Sequence, residues 1–427
     1  LSLDRRLKVT RDQKFRFDLN PAGPALVALA GDIGNELLAY EHRNQLRERK
    51  RKPADLAAFE NAVGVIVANL AHFTLFPPEA GAIILPMGHP RAARVEASVP
   101  GFGTALRAIV SVMEATGVLR STEPEIARFA TTIAPTQAFR DEVLARHIGG
   151  EDFEWRSIGD NLRLTHKDTK GRKTRLPVPK TEEAASLRQD VEAINEWLAR
   201  ANISYTGNMP LDVRDRRLVR CFNQPPHINF PSLSYGGRLF GGFWQRHGWH
   251  VRQHIRIGGE PVVEVDYGQM LPRLAYAEAD REPPTGDLYA VTGTESCRAT
   301  MKKAFNALLF KVGTLRRWPL EILDGLPEGW TGRTLRTAIL SVHPGISRLA
   351  GTGIGYRLFH HESTIMCAVL MRCMAVGVVA LPVHDAVVCP ASAVHVVSNI
   401  MREEAYRHCG VAIPVSVQGG DCLGGST

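Results

Sequence analysis

Two valine-rich stretches that each stop at an aspartate constrain this 427-residue chain most strongly. The first, "PVVEVDYG" (261–268), carries Glu264 inside an apolar run and ends in Asp266. The second, "VVALPVHDAVVCP" (378–390), splits into two short apolar segments around His384-Asp385. Short runs of β-branched residues bounded by turn residues read as buried strands. Asp266 then stands at a strand end and Asp385 at a hairpin tip. If strand and hairpin lie side by side, the two carboxylates face each other and cannot both stay ionised without a cation between them. Mg²⁺ suits such a pair, because hard cations take carboxylate oxygen and share their remaining shell with water and phosphate. Two such ions about 4 Å apart would clamp the attacking and leaving oxygens of a phosphoryl displacement. Two unrelated aspartates in loops are the plain alternative.

Between these stretches, "CRATMKKAFNALLF" (297–310) has helical spacing with a polar ridge. Arg298 and Lys302 are i and i+4, and Asn306 and Phe310 continue the same stripe. Two cations, an amide and an aromatic ring suit a triphosphate met by Arg and Lys, with a base or sugar against Phe310. An amphipathic surface helix with a core-facing phenylalanine reads equally well from the spacing.

Upstream, residues 26–52 read as a helix ending in the basic "RNQLRERKRKP", stopped by Pro53, with a second apolar helix over 54–76. "AIIL" (82–85) reads as a strand, 103–117 as a helix closed by Gly117, and 130–139 as extended. Helices followed by strand-like pieces suggest a mostly helical N-terminal domain with a winged-helix-like element. "NLRLTHKDTKGRKTRLPV" (161–178) reads as a hairpin with a basic tip. A helix over 181–200 begins at Thr181 with acids in its first turn. The turn-rich "SYTGNMP" places a domain boundary near 205.

The net charge of +8 favours a polyanionic partner, since neutralising phosphates releases condensed counterions. No uncharged apolar run of about 18 residues occurs, so no membrane partner is expected. The first 18 residues carry charges where a signal peptide needs an apolar stretch, and the seven cysteines form no CxxC pair. A cytoplasmic protein with reduced thiols is the expectation.

The quoted motifs resemble family A nucleic acid polymerases, the DNA polymerase I group. "VRQHIRIGGEPVVEVDYGQMLPR" is similar to that family's motif A, "DYSQIELR", through Asp266, Tyr267, Gln269 and Arg273. "RATMKKAFNALLF" resembles motif B through Arg298, Lys302 and Phe310, and "VHDAVV" resembles motif C through His384 and Asp385. "YGGRLFGG" resembles an element that touches the primer–template minor groove, through Gly237, Arg238 and Leu239, and "VAIPVSVQGGD" is similar to the closing strand. The ordered motifs cover roughly residues 236–425.

The resemblance implies an α+β fold: a right-hand palm built on an antiparallel sheet, with helical fingers at about 287–345. The palm would occupy 206–427, behind an N-terminal nucleic-acid-binding or thumb-like domain over 1–205. Asp266 and Asp385 would hold two Mg²⁺ ions (Mn²⁺ being possible), assisted by the backbone carbonyl of Tyr267. Arg298, Lys302, Phe310, Gln269, Leu271 and Tyr267 would meet the incoming nucleoside triphosphate, with Lys302 also a proton donor to pyrophosphate. Arg238, Arg273, His384, Glu362 and Asn306 would meet nucleic acid, as primer–template DNA or a DNA/RNA hybrid. Gly268 would keep the backbone near the triphosphate. The glycines of "GGRLFGG" would admit nucleic acid closely, and Tyr235, Phe240 and Trp244 are candidates for stacking on bases or for the core.

Departures from the family pattern fall at Leu271, where a sugar-excluding glutamate is expected, at Phe310 for a tyrosine, and at Ala386 for a glutamate. The reading is a template-directed DNA polymerase without a proofreading exonuclease. Alternatives are a primase or RNA polymerase of the same fold, or a catalytically inactive palm that binds nucleic acid. A metal-dependent nuclease fits poorly. Oligomeric state is left open.

Overall fold

A computed structural model describes residues 12–78, 81–85, 104–122, 131–156, 158–168 and 172–419. The middle of the expected basic tip (169–171), residue 130, the first 11 residues and the last eight lie outside these. The chain forms two compact units, one of Leu1–Asp160 with Asn208–Arg214, the other of Asn161–Gly207 with Asp215–Thr427. The chain thus passes between the units after residues 160, 207 and 214, where the sequence reading expects one boundary near 205. The hairpin and helix of 161–200 belong with the C-terminal part because strand β7 (Leu162–Lys167) runs parallel to β10 (Val219–Gln224) in one ladder. Asn195 also exchanges two hydrogen bonds with the backbone of Leu218, at 2.7 and 2.9 Å. The return segment stays in the first unit, where Asp212 accepts from Trp155 and meets His72, each at 3.1 Å.

In the first unit, strands β1 (Gln13–Lys14), β3 (Ile83–Leu85), β4 (Leu119–Thr122) and β5 (Thr131–Pro135) form a sheet in the order β1-β3-β5-β4. Strand β2 (Leu19–Pro21) pairs with β6 (Phe153–Trp155). Helix α1 spans Pro24–Arg43, shorter than expected. Asn44 caps the Tyr40 carbonyl at 2.9 Å and Gln45 takes φ +52°, turning the chain out of the helix before the basic cluster. Arg51 of that cluster folds back onto Glu41 at 2.6 and 2.8 Å and lies over Phe59, so it is part of the packing. Helix α2 (Pro53–Leu75) is long and apolar enough by composition to cross a membrane. Every residue from Ala62 to Phe73 is buried, as in a core helix enclosed on all sides. Helix α3 (Thr104–Ala115) precedes β4. Helix α4 (Gln137–Ala145), capped by Thr136, occupies part of the stretch read as extended.

The second unit holds two sheets. One has the order β11-β10-β7-β8, with β8 at Lys173–Leu176 and β11 at Gly236–Phe240. The other is built on β13 (Glu260–Tyr267), flanked by β15 (Ala386–Pro390) on one side and by β12 (Ile255–Ile257) and β16 (Val415–Gln418) on the other. Strand β14 (Leu381–Val383) and β15 form the expected hairpin. Strand β9 (Ile203–Tyr205) closes the β12 edge. Antiparallel pairing dominates, and the fold is α+β. Helices follow in the order α5 (Glu182–Arg200), α6 (Trp249–Arg252), α7 (Met270–Glu278), α8 (Arg298–Phe310), α9 (Leu320–Leu323), α10 (Gly332–Val342), α11 (Gly355–Ala375) and α12 (Val394–Cys409). Thr181 caps α5 through a 3.2 Å bond from the Ala184 amide. The six described cysteines are free thiols.

Candidate active site

Register places the two acids together. Asp266 lies opposite Ala386, and the Tyr267 amide donates to the Asp385 carbonyl at 3.2 Å. The β14–β15 turn therefore sits over the end of β13. His384 opens that two-residue turn at φ +59°, a left-handed backbone that is strained for a non-glycine residue and is held by the hairpin pairing on both sides. Along β13, Glu264 and Asp266 share one face by the two-residue period. Glu264 is buried and accepts from Arg252 at 2.9 Å, which makes it a structural acid tying α6 to the strand.

Burial first, and then the neighbouring Asp385 carboxylate, push the Asp266 carboxyl up to about 7. Lys302 and the Tyr267 amide pull it down, and Glu264 pushes it further up. Two carboxylates at adjoining strand ends, one raised first by burial and then by the other, offer the hard oxygen donors that a divalent cation would take. Among the described residues no group of three or more His, Cys, Asp or Glu could hold a metal, so any such ion would take few protein ligands. A cation bound there would displace the proton, so any affinity for Mg²⁺ would climb as pH rises towards 7 and level off above it. Without cation the sign for stability is opposite. The native carboxyl keeps a proton that the unfolded chain loses near its ordinary value of about 3.9, so stability falls between about pH 4 and 7. Calorimetric Mg²⁺ titrations and melting curves over pH 5–8 check both trends; flat affinity across that range contradicts them.

Helix α8 buries Met301, Ala304, Phe305, Leu308 and Leu309, leaving Arg298 and Lys302 on its exposed side. Lys302 lies within electrostatic reach of Asp266 and Glu362. Arg298 is clamped by Asp287 at 2.5 and 3.0 Å and lies 5.4 Å from the Tyr289 ring centroid. The backbone between those two partners is fixed from both sides. The Leu288 amide donates to Gln269 at 3.1 Å, and His343 Nε2 donates to the Leu288 carbonyl at 2.8 Å. Because that carbonyl can only accept, neutral His343 carries its proton on Nε2, and Nδ1 accepts from the Tyr276 hydroxyl at 2.9 Å. Tyr289 is buried and within electrostatic reach of both Asp385 and Arg298.

On the other flank, Arg238 forms a two-bond ion pair with Glu362 at 2.5 and 2.8 Å and stacks 3.8 Å over Phe359. The Glu362 side chain is fully buried, and burial pushes its carboxyl up to about 7 against the pull of Arg238. Burial, followed by Arg238, holds His384 below its usual range, and its ring packs 5.4 Å from Phe240.

The structure thus gathers Asp266, Asp385, Lys302, Arg238, His384 and Glu362, with Arg298 beside Tyr289. Several expected contacts are already committed to the protein itself. Glu362 holds Arg238 instead of facing nucleic acid, and the Gln269 amide oxygen holds the Leu288 backbone. Arg273 donates to the Ala412 carbonyl at 3.0 Å. The Tyr267 hydroxyl reaches the Met401 carbonyl at 2.5 Å, pointing its side chain away from the acids, while Leu271 is a core residue. Phe310 packs on Phe359 and Tyr356, with ring centroids 4.6 and 5.3 Å away, and Asn306 Oδ1 is buried without a hydrogen-bond partner. Gly268 lies against Pro414, its amide donating at 2.7 Å. At Gly237 (φ +97°) a Cβ would come 2.7 Å from Ser363 Oγ, so this glycine admits α11 and not nucleic acid. Trp244 is core, donating to the Pro382 carbonyl, and Phe240 is exposed. The sequence reading missed Asp287, Tyr289 and His343. No spacing rule ties them to Arg298, although the turn-rich "PPTG" before Asp287 marks a loop.

No family model matches the sequence, and no curated protein does. Solved structures that match include the POL domain of Pol1 from M. smegmatis in complex with DNA primer-template and dNTP, at 12% identity and a TM-score of 0.31. The match covers 93% of this chain and 66% of that one, just under two thirds of its length. Likeness of that degree fixes neither fold nor function.

Proposed function

We propose that this chain is a template-directed nucleotidyltransferase that extends a nucleic-acid 3′ end with deoxynucleotides. The observation supporting it is the juxtaposition of Asp266 and Asp385 at adjoining strand ends, with the Lys302 charge facing them. In this reading the sheet on β13 is a palm and α8 belongs to the fingers. Asp266 and Asp385 would hold divalent cations, Mg²⁺ or Mn²⁺, which supply charge stabilisation at the reacting phosphate when bound.

The chain's own groups carry the rest. Arg298 uses Nε and one Nη for Asp287 and has donors left for a phosphate. Lys302 balances the charge that develops on the leaving oxygen and can donate its proton there. The primer 3′ oxygen bonds to the α-phosphorus as the bond to the β-phosphate breaks, and pyrophosphate leaves. Arg238, steered by Glu362 and stacked on Phe359, faces the primer terminus. Phe310 offers no hydroxyl to a ribose 2′-OH, and this favours deoxyribose.

Primer extension on a labelled primer–template, with Mg²⁺ or Mn²⁺ and dNTP or rNTP, tests the reading. Incorporation of dNTP is expected; no incorporation with either metal and either sugar sinks it. Replacing Arg298 with Ala should raise the nucleotide KM about 10- to 100-fold, the worth of one charge-assisted contact at roughly 1.5–3 kcal/mol. Steady-state titration of dNTP reads this, and an unchanged KM removes Arg298 from the nucleotide site.

A further inference from the structure

In the sheet β11-β10-β7-β8, the central strands β7 and β10 have one packed face and one less buried face. Leu162, Leu164, Arg220, Phe222 and Gln224 are buried, and Arg220 bonds to Gly237 and to Thr364 of α11 on that side. The alternate residues of β7 point the other way, and Arg163 and Lys167 are exposed. Register extends this face across the hairpin: Thr165 lies opposite Arg175 and Lys167 opposite Lys173, both partners exposed. Cys221 pairs with Arg163, and its thiol, raised by burial, is pulled back by Arg163, Arg175 and Lys173, so those cations surround it. None of the four strands contains an Asp or Glu. Among the described residues Arg163, Lys167 and Lys173 make no ion pair.

The patch is also continuous with the candidate active site. Val219, two residues before Cys221, pairs with Phe240, whose ring lies beside His384 in the turn that carries Asp385. From β11 to β8 the sheet spans three inter-strand steps, about 14 Å, and Arg163 to Lys167 runs about 13 Å along the strand. Exposed cations on strands that contain no acid match a row of phosphates. The Thr165 hydroxyl and the Asn223 amide oxygen bond each other at 2.8 Å, so the polar pair between the cations is engaged within the protein.

We propose that the less buried face of this sheet, through Arg163, Lys167, Lys173 and Arg175, binds the phosphate backbone of a nucleic-acid duplex leading away from the Asp266–Asp385 site, without reading its sequence. The direction of the track rests on the function proposed above; the charge complementarity does not.

The test is the salt dependence of binding of the full chain to a fluorescein-labelled DNA duplex with a 5′ overhang, with primer extension assayed in parallel. Each phosphate contact contributes about 0.9 to the slope of log K against log salt. The triple variant R163Q/K167Q/K173Q should therefore lower the slope by about 2–3 and weaken binding at least about tenfold at 0.1 M salt. Its melting temperature should be unchanged, and R163K/K167R/K173R should retain the wild-type slope. A slope unchanged in the folded triple variant overturns the proposal, even if the wild type extends primers. A reduced slope supports it even if the wild type extends nothing, in which case the polymerase reading alone fails. Preferential binding to phosphatidylserine vesicles over duplex, lost in the same variant, overturns it in favour of a membrane surface.

Discussion

Replacing Asp385 with Asn should abolish primer extension, by more than about a thousandfold, while leaving duplex affinity and its salt slope at wild-type values. The amide is isosteric with the carboxyl and keeps the two-residue turn, whose Asp385 carbonyl still receives the Tyr267 amide. What it removes is one of the two negative charges that a divalent cation needs at this strand end. A second consequence separates charge loss from misfolding. Asp385 is the largest charged contributor raising the Asp266 carboxyl, so in the variant that carboxyl should titrate lower, nearer the ordinary range. NMR titration of Asp266 reads this shift directly. Extension at wild-type rate, or an Asp266 that titrates unchanged, removes Asp385 from the metal site.

Arg238→Ala should be the most destabilising change near the site. Glu362 is fully buried, and Arg238 supplies both of the side-chain hydrogen bonds to its carboxylate. Removing one partner of a buried pair leaves an uncompensated charge and costs about 3–5 kcal/mol. The variant's stability should fall further with rising pH. The Glu362 carboxyl, already raised to about 7 in the native state, would move higher without its guanidinium, whereas in the unfolded chain it titrates near 4.3. Stability is then present below about pH 4 and is lost as pH rises through the native value. Glu362→Gln, which keeps a hydrogen-bonding oxygen, should cost less. Arg238→Met with Glu362→Leu should recover most of the stability, since an apolar pair of similar volume replaces the ions, but should not recover extension. Denaturant melts at pH 5 and 8 with parallel extension assays check the series. Full activity in the apolar double variant would make the pair purely structural.

The local grammar of the chain carried much of the site. Valine runs, a two-residue turn and an i, i+4 basic ridge depend on neighbours close in sequence, and the strands, hairpin and helix form within a residue or two of where those patterns put them. The same logic failed at residues 44–52, where helical periodicity ran on but the chain turned out at Gln45. There the pairing of Arg51 with Glu41 and its stacking on Phe59 prevail over propensity.

By itself, then, the sequence determined that Asp266 and Asp385 end buried strands and that Arg298 and Lys302 share a helix face. Only tertiary structure decided which polar groups are spent inside the protein. Glu362 meets Arg238 across 124 residues, and His343 meets Leu288 across 55, separations at which no periodicity survives. The cationic face on β7 and β8 arises the same way. Arg163 stands between buried Leu162 and Leu164, and the parallel pairing of β7 with β10 within the second unit sets it beside the strands that lead to the acids. Burial and register are collective properties of the folded chain, so the choice between a ligand-facing cation and a packed one is made there.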